Sequence, residues 1–199
     1  APAAARAAHP GAKPYPDFAP DLAPAALAEL GRRYVEKFEA LFPTAERFID
    51  KNLLNFQHVA MIRVMLPGAR IVHVRRDPLD TCLSCYFQRL PADHRYKFAL
   101  DSLGLYYRMY ADLMAHWDEA AGGAIVVDYE TFIDHPEAEY RRVLDALAAP
   151  PAAEREERRS RSIQTQARQP VTKSSVGKWR RYEKHLGPLI EALGPLARV

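Results

Sequence analysis

Residues 73 to 89 read HVRRDPLDTCLSCYFQR and hold residue types well suited to gripping an anion. Arg76 follows an apolar run, RIVHV, and Ser84 comes eight residues later. A guanidinium offers a planar fork of charge-assisted donors and a hydroxyl adds a neutral one, so together they can hold a phosphate from two sides. The spacing works if Ser84 lies about two turns into a helix, on the face it shares with Asp80 and Gln88. The same arginine could instead form a surface ion pair with Asp77 or Asp80, and spacing alone does not separate the two uses.

Other chemistries find less support. Cys82 and Cys85 have C-x-x-C spacing, but no second Cys/His pair with ligand spacing accompanies them, so both are expected to pack as small apolar groups on a helix. No carboxylate cluster implies a metal. A net charge of +3 is too mild to argue for nucleic acid, yet it leaves room for a local basic pocket. No apolar stretch approaches the roughly 20 residues that span a bilayer. With no disulfide framework, a reducing compartment, the cytoplasm, is expected.

The elements that must position Arg76 and Ser84 can be read from periodicity. In 199 residues, 48% hydrophobic and 27% charged, one domain with a sizeable core is affordable. Residues 1–23 are Pro/Ala-rich and read as a tail or linker. Apolar residues at helical spacing predict helices from Pro24 to the stop at Pro43, over 55–66, and over about 98–118. ERFIDK, RIVHV and AIVVDY predict three short strands. Asp77-Pro78-Leu79-Asp80 reads as a helix start, with Asp77 as cap, Pro78 at N1 and Asp80 as a capping-box acid. YETFIDHPEAEYRRVLDAL reads as a short turn followed by a helix, and a last helix is predicted from about Val176 to Leu193. Residues 150–170 are arginine-rich and read as a solvated loop or helix face. Strands alternating with helices predict an α/β fold, a parallel sheet flanked by helices with covered faces, whose ligands bind beyond the strands' carboxyl ends. That edge carries Asp50-Lys51, Arg75-Arg76 and Asp128-Tyr129.

RIVHVRRDPLDTCLSCYFQ resembles the 3′-phosphate-binding segment of sulfotransferases that use 3′-phosphoadenosine-5′-phosphosulfate (PAPS). FIDKNLLNF, VVDYETFIDHP and RQPVTKSSVGKWRRYEKHL extend the likeness from about residue 25 to the C-terminus. The chain is most similar to bacterial sulfotransferases that follow tetratricopeptide repeats, and more distantly to tyrosylprotein sulfotransferases. The resemblance implies a P-loop-kinase-like architecture over 24–199 and transfer of a sulfuryl group from PAPS to a hydroxyl or amine of a small-molecule or protein acceptor. Under it Arg76 and Ser84 grip the 3′-phosphate, Arg89 is a further nucleotide contact, and Tyr129 contacts the adenine end. Lys173, Ser174, Ser175 and Lys178 belong to the loop closing over the 3′-phosphate. Trp179 packs beside the adenine or in the core. Lys51 lies near the transferred group, where a fixed ammonium would meet charge growing on the departing phosphate. Ser162 is a transition-state contact.

The family's Gly-rich phosphosulfate loop, close to P-R-S-G-T-T, is not found in the sequence, and no histidine takes a matched position as general base. The chain starts with Ala, not Met. We therefore expect the C-terminal part of a sulfotransferase domain without its N-terminal phosphate-loop unit, with upstream tetratricopeptide repeats in the parent chain. Rival expectations are a non-catalytic module that binds PAPS or its product 3′-phosphoadenosine 5′-phosphate (PAP), and a structural fragment with no nucleotide affinity.

Overall fold

The computed structural model of the protein describes residues 15–88, 94–148 and 173–197. Arg89, Ser162 and the arginine-rich stretch 150–170 lie outside them. The regular elements are α1 (Pro24–Leu41), α2 (Val59–Met65), β1 (Val72–Arg75), α3 (Pro78–Phe87), α4 (Leu100–Ala120), β2 (Ile125–Asp128), α5 (Tyr129–Asp134), α6 (Pro136–Ala146) and α7 (Gly187–Leu193). Short 3-10 turns cover Asn55–His58, Arg95–Phe98, Lys173–Ser175 and Lys178–His185. None of the described helices is long and apolar enough to cross a membrane. The chain divides into two compact units, Ala1–Ala69 with Glu119–Ala121, and Arg70–Asp118 with Gly122–Val199.

In the first unit α1 opens on Pro24, whose missing N–H would be unpaired at a helix start anyway, and closes before Pro43. It packs on α2 and buries Leu27. Tyr34, Phe38 and Phe48 form a chain of ring contacts along it. Two expectations change here. The helix predicted over 55–66 is a 3-10 turn followed by the shorter α2. ERFIDK is not a strand but irregular chain, with Ile49 92% exposed. No described strand pairs with it, and an extended segment without a neighbour has no ladder for its N–H and C=O groups. The Pro-rich lead-in, described from Tyr15, is tied down: the Tyr15 hydroxyl hydrogen-bonds His58 Nδ1 at 2.8 Å.

The second unit is built on β1 and β2, which pair in parallel with Val72 opposite Ile125 and Arg75 opposite Asp128. Among the described residues these are the two strands, so the predicted parallel sheet is present but small. One face of β1 stays open, with Val72 40% and Val74 60% exposed, where covered faces were predicted. The core lies between α3, α4 and the C-terminal segment. It contains Leu79, Cys82, Leu83, Leu103, Trp179, Leu186, Leu189 and Leu193. Cys82 is one of these packed groups and Cys85 sits against them, as small apolar groups on a helix would; burial pushes the Cys82 thiol up to about 12. The short turn expected at the start of YETFIDHPEAEYRRVLDAL is helical: α5 starts directly from β2. The predicted final helix is broken: a 3-10 segment runs to His185, and α7 begins afresh at Gly187 with Pro188 in its first turn. Proline has no N–H to continue the ladder and disfavours the α conformation in the residue before it.

Candidate functional site

Because β1 and β2 end in register, the residues leaving them emerge side by side. Arg75 and Asp128 close the sheet with a pair of side-chain hydrogen bonds, and the Arg75 guanidinium holds the Asp128 carboxyl below the usual carboxylate range. Beyond them come Arg76 and Asp77 on one side and Tyr129 and Glu130 on the other. The Asp77 N–H donates to Glu130 Oε1 at 3.0 Å, and the Asp77 carboxylate accepts the Asp80 N–H at 2.9 Å, which starts α3. Burial raises the Asp77 pKa above the ordinary value. Asp77 is thus the predicted cap. Asp80 is not the predicted capping-box acid: Glu130 takes the Asp77 N–H, and the Asp80 carboxylate turns elsewhere.

Asp80 faces the C-terminal segment. Its side chain is 0% exposed and accepts the N–H of Gly177 at 2.6 Å and of Trp179 at 2.9 Å. Arg76 is held against this junction. Its Nη2 donates to the Ser175 carbonyl and lies 3.5 Å from Asp80 Oδ2, and its guanidinium sits over the Tyr129 ring, 5.2 Å from the centroid. The Arg76 carbonyl accepts from the Tyr107 hydroxyl at 3.1 Å. The Tyr129 and Ser175 hydroxyls are 3.1 Å apart and hydrogen-bonded. The ion pair with Asp80 is therefore formed, but it is a buried junction and not the exposed contact weighed from the sequence.

Arg76, Asp80, Leu83, Ser84, Phe87, Gln88, Ser175 and Lys178 line a cleft of about 270 Å³. One turn per step along α3 puts Asp80, Ser84 and Gln88 on the same face, as the spacing predicted, and Gln88 donates to Ser84 Oγ at 3.1 Å. Two cations face one carboxylate here, and that carboxylate is already engaged by two backbone donors. Arg76 Nε is buried with no hydrogen-bond partner among the described residues. The donors lining the cleft, a guanidinium, an ammonium and hydroxyls, fit a bound phosphate.

The structure brings together Arg76, Ser84, Ser175 and Lys178. It places others differently. Lys173 is exposed and pairs with Asp134 at 2.6 Å, off the cleft lining. Ser174 is exposed in the same 3-10 turn. Tyr129 supports Arg76 and Ser175 from behind and is not among the lining residues. Trp179, weighed as an adenine neighbour or as core, is core, 4% exposed. Lys51 is exposed on irregular chain of the first unit, not after a strand; the neighbouring Asp50 accepts from Tyr34, whose pKa burial and that bond push up to about 12. Sequence reasoning missed Leu83 and Phe87 in the lining and the work of Asp80. The signal for Asp80 was present, an acid one helical turn before Ser84, but its partners lie 97 and 99 residues away.

Comparison with known proteins follows the same direction. The family model described as "Sulfotransferase family" matches residues 4–154. This begins earlier than the likeness placed from residue 25 and ends before the segment carrying Ser175 and Lys178. An uncharacterized protein of Aquifex aeolicus (strain VF5) is 32% identical over 177 residues, which is 84% of this chain. The chain spans only 23% of that relative's length. No solved structure matches.

Proposed function

The chain belongs to the sulfotransferase family, and from that premise we propose that its cleft holds the 3′-phosphate of PAPS or PAP. One observation carries the reading. Arg76 and Ser84 share a cleft with Ser175 and Lys178, which come from roughly a hundred residues later in the chain. Arg76 and Lys178 would balance the phosphate charge, and Ser84 and Ser175 would donate hydroxyl hydrogen bonds. Bound PAPS supplies a sulfuryl group carried on a phosphate oxygen, ready for transfer to an acceptor hydroxyl or amine. This chain's residues hold the nucleotide end of that donor. Lys51, an exposed ammonium, is the group proposed to meet the charge that the leaving phosphate oxygen gains. Arg89 and Ser162 remain candidates from the resemblance. The wider architecture is proposed to be P-loop-kinase-like, in a protein of the tetratricopeptide-linked type acting in the cytoplasm, on a small-molecule or protein acceptor.

A second reading is nucleotide binding without transfer, since the cleft accounts for the nucleotide end of the donor. In-line transfer needs both ends of the donor held.

Calorimetry with PAP and with 5′-AMP, which lacks the 3′-phosphate, tests the shared core of both readings. PAP should bind at least about tenfold more tightly, and Arg76→Ala should remove that preference by deleting a charge-assisted contact. Equal affinity for the two nucleotides refutes the assignment. Release of PAP with sulfation of an acceptor then separates transfer from binding alone.

A further inference from the structure

We propose that Asp80 is the positioning residue of the phosphate cleft: it ties the 175–179 segment to α3 and holds Arg76 between them. The inference rests on the nucleotide reading above for what the cleft binds, but the tie itself does not.

A carboxylate with no exposed surface is costly unless its oxygens are engaged. Both are. Oδ2 takes the Gly177 N–H and Oδ1 the Trp179 N–H, with Arg76 Nη2 at 3.5 Å. Two N–H groups two residues apart can converge on one carboxylate because the backbone between them curls, and Gly177 supplies the curl with φ 66, the left-handed region. Trp179, buried in the core, anchors the far end of the segment. The near end is Ser175, whose carbonyl accepts from Arg76.

The arrangement has a functional consequence. The backbone donors of 177 and 179 point at Asp80, so Ser175 and Lys178 are left to line the cleft with Ser84. The Asp80 carboxylate is engaged by the two backbone donors and faces Arg76. Arg76 spans the two walls, with Nη2 on the Ser175 carbonyl and 3.5 Å from Asp80 Oδ2. Without Asp80, α3 and the 175–179 segment keep their own secondary structure but lose what sets the distance between Ser84 and Lys178.

Amide hydrogen exchange and calorimetry on the whole chain test this. In the wild type, Gly177 and Trp179 should exchange slowly although they lie in a short irregular segment. Asp80→Asn replaces one acceptor oxygen with a donor, so at least one of the two amides should exchange at least about tenfold faster while β1 amides are unchanged. PAP affinity should fall at least about tenfold, with 5′-AMP affinity unchanged. A general packing role would weaken both nucleotides and speed exchange throughout the core. Fast exchange of Gly177 and Trp179 in the wild type overturns the proposal, and that measurement stands even if Asp80→Asn does not fold. An unchanged PAP to 5′-AMP ratio in a folded Asp80→Asn overturns it as well. If the wild type itself shows no preference for PAP, the nucleotide reading fails; slow exchange that Asp80→Asn abolishes then still supports the tie.

Discussion

Replacing Ser84 by Ala should separate binding from folding, because the two respond differently to the loss of one hydroxyl. Ser84 lies inside α3, half-buried, and its Oγ accepts a hydrogen bond from the exposed Gln88. Losing that contact costs about 0.5 kcal/mol. Alanine recovers about 0.5 kcal/mol of helix propensity over serine. Stability therefore stays within about 0.5 kcal/mol of wild type, as for most substitutions that leave no cavity or orphaned partner. Binding has no such offset. A hydroxyl donating to a phosphate makes a hydrogen bond to a charged group, with a contribution of about 1.5–3 kcal/mol. At about 1.4 kcal/mol per decade, PAP affinity should fall roughly 10- to 100-fold. Calorimetric titration with PAP at constant salt, beside urea unfolding of the same preparation, reads both quantities. A folded Ser84→Ala whose PAP affinity stays within about twofold of wild type refutes the placement of the phosphate between Arg76 and Ser84.

Two further outcomes probe the scaffold. A Cβ at Gly104 would lie 2.6 Å from Ala192 Cβ and 3.1 Å from the Leu189 carbonyl, so Gly104→Ala forces α4 away from α7. Overpacking of this kind costs about 1–3 kcal/mol, which outweighs the gain of roughly 1 kcal/mol from alanine in an open helix; a urea midpoint above that of the wild type would show that the close approach is not there. His73 is half-buried with Nε2 on the Tyr110 hydroxyl, and burial lowers its pKa below 6.5. As pH falls through 6.5 the unfolded chain takes up the proton first, so stability is present above that value and declines below it, until the folded pKa is passed. Urea midpoints measured from about pH 8 to pH 5 should show this decline, and His73→Gln should remove the share that His73 carries. An identical pH slope in the variant would exclude His73 as its source.

Local chemistry was legible wherever neighbours in sequence are also neighbours in space. Pro24 and Pro78 start helices because a missing N–H does no harm there, and Asp77 caps α3 as its type and position demand. β2 falls within the apolar run AIVVDY, and β1 overlaps RIVHV and extends one residue past it to Arg75. The face shared by Asp80, Ser84 and Gln88 follows from 3.6 residues per turn alone. ERFIDK misled because an apolar segment becomes a strand only when a partner offers a ladder, and periodicity cannot say whether one does. The final helix misled because helical spacing outweighed Pro188, although proline alone forbids the ladder from running through it.

By itself the sequence determined the helix caps and the turn of helix that sets Ser84 on the same side as Asp80. These depend on dihedral preferences and on bonds spanning four residues or fewer. Only the tertiary structure decided that Asp80 grips Gly177 and Trp179, that Arg76 lies against Ser175 and Tyr129, and that Lys173 pairs with Asp134 instead of lining the cleft. Those contacts join residues up to 99 positions apart. They form because a carboxylate and a guanidinium leaving solvent must find partners, whatever the sequence distance, and the folded chain alone determines which partners are near.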